Sequence, residues 1–114
     1  MYQTIFHCDD EKKVKKCFNN VENLLRDIEE ADEEIRIEIL ANGSAVSSFK
    51  KESNRYEERI SLLSKKNVQL ALCQNSLNGH NLTANEMVDE AKIVVSGVGE
   101  LTRKQNQGWA YIKV

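Results

Sequence analysis

Cys73 closes the apolar run Val68-Gln69-Leu70-Ala71-Leu72 and is followed at once by the polar residues Gln74-Asn75-Ser76. A strand that ends in a thiol delivers it to the edge of an α/β sheet where loops converge and helix N-termini point free N–H groups. Such donors favour thiolate over thiol and make the sulfur nucleophilic near neutral pH. Asn75 and Ser76 either add side-chain donors or shape the turn. Packing is the competing reading, since free cysteine is among the most buried residue types.

Cys8 follows the apolar run Tyr2 to Phe6 and emerges at the same edge if the strands run parallel. It reads either as a resolving partner for Cys73 or as a loop or packing residue. Cys17 lies three residues after Val14 on an apolar helix face, where packing is its expected role. His7, also at that edge, has a pKa suited to accepting the Cys73 proton or pairing with the thiolate. His80, in Gly79-His80-Asn81, is a second histidine candidate. The spacings Cys8/Cys17, Cys73/His80 and His7/Cys8 make no tight zinc pattern, so no metal is expected. Ser96-Gly97-Val98-Gly99 invites comparison with dinucleotide-binding turns, but Thr102 stands where the third glycine belongs, so no dinucleotide cofactor is expected. That turn either offers N–H groups to a small anion or is a plain tight turn. Asn42-Gly43 ends another strand at the same rim. The predicted site is therefore Cys73 as the reacting group, with His7, Cys8 and Asn75 assisting and Asn42, Gly43, Ser96 and Gly97 binding.

These positions require strands and helices in alternation. Tyr2–Phe6 reads as a strand, and Asp9-Asp10-Glu11 as the acidic, capping start of a helix whose buried stripe is Val14, Phe18, Val21, Leu25 and Ile28. Ile35-Arg36-Ile37-Glu38-Ile39 alternates as a strand with one wetter face. The series Val46, Phe49, Tyr56, Ile60 and Leu63 suggests a second helical region with a break around Lys51 to Asn54. Residues 68–73 form a third strand, Asn78-Gly79 a turn, and Thr83-Ala84-Asn85-Glu86 a capping box opening a short helix. A fourth strand over 91–95, a helix from the glycine turn to about Asn106, and a strand over 109–114 complete the chain. The pattern predicts an α/β fold: three layers, α/β/α, around a mostly parallel sheet of about five strands.

The chain, with 114 residues, is of single-domain size and has room for one site. Its 16 basic and 18 acidic residues leave a net charge of -2 with no basic stripe, so nucleic acid is not an expected partner. No apolar run approaches the roughly 20 residues of a membrane span, and Met1-Tyr2-Gln3-Thr4 lacks a signal-peptide layout. The odd cysteine count fits free thiols in a reducing compartment, and a cytoplasmic protein is expected.

The strand ending in Cys73-Gln74-Asn75-Ser76-Leu77, followed by Ser96-Gly97-Val98-Gly99-Glu100-Leu101 and Gln107-Gly108-Trp109-Ala110-Tyr111-Ile112-Lys113, resembles the DsrE/DsrF-like family. The resemblance extends to Phe6-His7-Cys8-Asp9, Asn20-Val21-Glu22-Asn23-Leu24-Leu25 and Ala41-Asn42-Gly43, and so covers nearly the whole chain. It implies a small sulfur-relay-like protein in which Cys73 accepts sulfane sulfur as a persulfide and passes it to an acceptor protein or small thiol. It also implies a homo-oligomer, a trimer or hexamer, and sulfur donor and acceptor partners. Phe49, Tyr56 and Trp109 either serve that interface or, at their helical and strand periods, belong to the core. The alternative function is a non-catalytic module of the same fold that binds a small ligand or partner protein at this edge.

Overall fold

The computed structural model describes residues 1–114. Five strands alternate with helices: β1 (Tyr2–Cys8), α1 (Val14–Glu30), β2 (Ile35–Ala41), α2 (Glu57–Lys65), β3 (Gln69–Cys73), α3 (Gln74–Gly79), β4 (Ala91–Val94), α4 (Gly97–Asn106) and β5 (Ala110–Lys113). The strands form one sheet in the order β4-β3-β2-β1-β5. Every pairing is parallel. The three-layer α/β/α expectation is met.

Strand order explains how the helices are shared between the layers. The chain steps in one direction from β1 to β4, and crossovers of one hand that step the same way lie on the same face. To reach β5, beyond β1, it must step back across the whole sheet, so α4 crosses alone on the opposite face. Val14, Cys17, Phe18 and Val21 of α1, with Ile60 and Leu63 of α2, accordingly pack on Phe6, Ile37, Ile39, Leu70 and Leu72 in a cluster of 22 buried residues. The α4 face holds a cluster of only five: Ile5, Leu40, Ala71, Leu101 and Trp109.

The rest of the α4 face is charged. Glu38 is fully buried there, with Lys92 Nζ 3.2 Å and Lys104 Nζ 3.8 Å from its Oε1. Lys92 also reaches Glu100 of α4 at 3.3 Å, and Lys104 lies over the Trp109 ring at 4.4 Å. Burial, then the adjacent Glu100 carboxyl, pushes Glu38 up to about 7 against the pull of Lys92. The wetter face expected on this strand is confined to Arg36 near its start: from Ile37 to Ala41 every residue is buried. A strand in the middle of a parallel sheet is covered on both faces, and Glu38 is accommodated by lysines rather than by water.

Local capping agrees with the sequence at most ends. Asp10 accepts the Lys12 N–H at 2.9 Å before α1. Thr83 and Glu86 form the reciprocal capping box, although a single 3-10 turn, Ala84–Glu86, is all that follows. The break in the second helical region is wider than expected, with a 3-10 segment Gly43–Phe49 and then no helix until Glu57. The expected turn at Asn78-Gly79 is instead the last turn of α3, which begins directly after Cys73. Phe49, Tyr56 and Trp109 are all buried, so the interface reading of these residues is corrected to a core one.

Candidate functional site

Strand polarity puts the C-terminal ends of β1, β2, β3 and β4 on one rim, and the pleat decides which face each side chain takes. Leu40 pairs with Ala71 and Ala41 with Leu72, so the next step of the register sets Asn42 beside Cys73. Both follow Leu40 and Ala71 on the α4 face. His7 is in phase with Ile5 and joins them; Cys8 is in phase with Phe6 and faces α1.

Cys73 is the N-cap residue of α3, and the N-terminus of α4 meets it from the other side: the Gly97 N–H donates to Cys73 Sγ at 3.2 Å. Burial pushes this thiol up, since its residue is only 5% exposed, but the Ser76 hydroxyl and N–H and the N–H groups of Gly97 and Asn75 outweigh it and hold the thiol below its ordinary value. Ser76 is oriented by its own partner. Its Oγ accepts the Gly43 N–H at 2.8 Å, which leaves the hydroxyl proton for the sulfur.

Two glycines make this convergence sterically feasible. Gly43 has φ +56, and a Cβ there would sit 2.7 Å from the Asp9 carbonyl oxygen. A Cβ on Gly97 would lie 3.2 Å from both Asn42 Nδ2 and Leu40 Cδ1, tight contacts that would require those side chains to give by a few tenths of an ångström.

His7 does not face the thiol as a base. Its Nε2 is 2.8 Å from Asn42 Oδ1 and its Nδ1 is 2.7 Å from the Tyr111 hydroxyl. An amide oxygen only accepts, so Nε2 carries the proton and Nδ1 accepts from Tyr111. Both ring nitrogens are thereby engaged away from the sulfur.

The remaining sequence candidates separate cleanly. Cys8 and Cys17 share a hydrogen bond inside the α1-side cluster; that bond together with burial holds the Cys17 thiol far above its ordinary value, and the same bond lowers the Cys8 thiol. The Cys8 thiol donates to the Asp10 carbonyl at 3.5 Å. With Cys8 on the opposite face of the sheet, the resolving-partner reading loses its geometry. Ser96 caps α4, accepting the Gly99 N–H at 3.0 Å. Asn75 contributes its backbone, its side chain being exposed, and His80 is exposed at the end of α3. No group of three His, Cys, Asp or Glu side chains is arranged to hold a metal ion.

A polar depression of about 230 Å³ between Glu11, Ser47, Lys50 and Arg55 lies on the α1 side and includes none of these groups. The rim beside Cys73 is instead flanked by exposed apolar side chains, Val95 at 83% and Val98 at 69% exposure. Tyr111 and the buried Glu38 were missed in the sequence. A charged residue inside Ile37-Glu38-Ile39-Leu40 was the available signal for Glu38, and the period-2 relation of Tyr111 to Trp109 the one for Tyr111.

The sequence matches the DsrE/DsrF-like family over residues 18–114. Among solved structures, MTH1491 from Methanobacterium thermoautotrophicum, a protein of unknown function, is 32% identical with a TM-score of 0.90 over 100% of both chains. The ychN protein from E. coli shares the fold at 14% identity and a TM-score of 0.77, again over 100% of both chains. A conserved protein of unknown function, BT1422 from Bacteroides thetaiotaomicron, does so at 12% identity and a TM-score of 0.73, covering 98% of this chain and 94% of its own. No curated protein matches the chain.

Proposed function

Because the chain belongs to the DsrE/DsrF-like family, we propose that it is a persulfide carrier in sulfur relay, with Cys73 as the residue that accepts sulfane sulfur and passes it on. The observation that supports this reading is the set of donors on Cys73 Sγ, from Gly97, Ser76 and Asn75, at a rim where neither other cysteine competes. Loading begins when the Cys73 thiolate attacks the outer sulfur of a persulfide R–S–SH. The donor S–S bond breaks, RS⁻ leaves, and Cys73–S–SH forms with no net oxidation. Unloading is the same exchange in reverse sense: an acceptor thiolate takes the outer sulfur and Cys73 departs as thiolate. Donors that stabilise the thiolate therefore serve it first as nucleophile and then as leaving group.

The reading treats residues 1–114 as one DsrE/DsrF-like domain acting in the cytoplasm as a trimer or hexamer. The exposed Val95 and Val98 beside the site, and Ile112 on β5, are apolar surface suited to self-association. No helix is long and apolar enough to cross a membrane. The near-complete cover over Cys73 favours a second reading, a non-catalytic module that binds a small ligand or partner protein at this rim with the cysteine as a packing residue.

Mass-spectrometric mapping after incubation with glutathione persulfide separates the two. The carrier reading predicts one added sulfur, 32 Da, confined to the Cys73 peptide and lost in Cys73→Ala. Sulfur spread over all three cysteines, or absent from a folded protein, favours the binding module.

A further inference from the structure

A chain of three side chains leads from the edge of the sheet to the sulfur site. Tyr111 on β5 donates to His7 Nδ1 at 2.7 Å, and His7 Nε2–H donates to Asn42 Oδ1 at 2.8 Å. With its oxygen held by His7, the Asn42 amide has one remaining direction for its NH2 group, and Nδ2 lies against Gly97, the residue whose N–H is on Cys73 Sγ. Asn42 and Cys73 are also neighbours by register on the same face. Asn42 is not among the groups that favour the Cys73 thiolate. Its Nδ2 donor makes no hydrogen bond of its own and lies beside Gly97 on the same face of the rim as the thiol, where a persulfide would carry a second sulfur about 2 Å beyond the first.

We propose that Tyr111 and His7 are positioning residues which fix the Asn42 amide so that its Nδ2 donor hydrogen-bonds the outer sulfur of a Cys73 persulfide. The proposal rests on the carrier reading and adds to it a division of labour. Gly97, Ser76 and Asn75 serve the inner sulfur in both states, whereas Asn42 serves only the loaded one. The three groups are mutually consistent in one arrangement: Nε2–H meets the acceptor-only amide oxygen, and the Tyr111 hydroxyl, able to donate, fills Nδ1 and holds the ring in place.

The test is the equilibrium of sulfur exchange between Cys73 and glutathione, read by intact-mass spectrometry, beside the pH midpoint of Cys73 alkylation. Asn42→Ala and Tyr111→Phe are expected to shift the exchange roughly three- to tenfold toward the unloaded protein, the worth of one hydrogen bond, and to leave the alkylation midpoint unmoved. His7→Phe should match them. His7→Gln, whose amide N–H replaces Nε2–H, should restore most of the loading, and His7→Phe combined with Tyr111→Phe should be no worse than either alone. Tyr111 is exposed on an edge strand, so its variant retains the core. Wild-type loading matched by Tyr111→Phe, His7→Phe and Asn42→Ala overturns the positioning roles while the carrier reading stands. A wild-type protein that takes up no sulfur at Cys73 overturns both.

Discussion

The two faces of the sheet place the same residue type in different surroundings. On the α1 face, Cys8 and Cys17 sit in a cluster of 22 buried residues. There the Cys17 thiol is pushed up by its bond to Cys8 and by burial, while the same bond lowers the Cys8 thiol, itself enclosed. On the α4 face, Cys73 is almost as buried, yet its thiol is drawn down by the backbone and hydroxyl donors at two helix starts. Burial alone therefore does not decide whether a cysteine is inert; the polar groups that burial brings with it do. The difference traces to topology. Three crossovers fill one face with apolar side chains, and the single return crossing leaves the other to a small apolar cluster, a buried ionic group and the rim site.

The largest contrast expected between the faces is in stability. Phe18→Ala, in the thick cluster and against both Phe49 and Tyr56, is expected to cost roughly 3–5 kcal/mol in urea unfolding, against about 2 kcal/mol for Leu101→Ala beneath α4. Equal costs would mean that the two layers contribute alike.

The ionic group gives the α4 face a pH dependence that the α1 face lacks. Glu38 holds its proton to about 7 in the folded protein, from an ordinary value of 4.5. Between those values the unfolded chain binds fewer protons than the folded one, so this contribution to stability is complete below about 4.5 and is lost as pH rises through 7. Glu38→Gln keeps the neutral shape and removes the titration. The stability of the variant relative to the parent is expected to rise by on the order of 2–3 kcal/mol from pH 5 to pH 8, followed by thermal melts. A constant difference across that range would show that Glu38 is ionised throughout.

How much of this was legible in the sequence follows the same division. The strands, α1 and its apolar stripe were readable because Val14, Phe18 and Val21 recur at a regular helical period and bury against one continuous surface. The rim and the arrival of Cys73 at it were readable because a parallel sheet sends every strand end to one edge. The face taken at that edge was not readable for Cys8, since it depends on the length of β1: the strand runs on to Cys8 rather than stopping at Phe6, which turns Cys8 toward α1 and His7 toward α4. The role of His7 was hidden for a similar reason. Its partners Tyr111, on β5, and Asn42, just past β2, lie 104 and 35 residues away, a distance at which no local period reports.

Ser76→Ala sharpens the comparison at the site itself. It removes one donor from the sulfur and strands the Gly43 N–H, so we expect about 1–2 kcal/mol of lost stability and a Cys73 alkylation midpoint moved to higher pH. An unmoved midpoint would assign the thiolate to the backbone donors alone. The smallest effect is expected on the outer surface of the α1 layer, where Arg59→Ala breaks the 2.7 Å pair with Glu22 at well under 1 kcal/mol, and less in high salt.

The central claim is that Cys73 is the one cysteine whose thiol is both drawn down and placed at the rim, since the Cys8 thiol, lowered by its bond to Cys17, is enclosed on the α1 face. Its most direct test is alkylation of the folded protein by iodoacetamide across pH 5 to 10, with each cysteine followed by peptide mass spectrometry. Cys73 is expected to react first, with a midpoint below that of an ordinary thiol, while the enclosed Cys8 and Cys17 stay unmodified until the protein unfolds. Labelling of Cys8 or Cys17 at the same rate, or a Cys73 midpoint at or above the ordinary value, would contradict it.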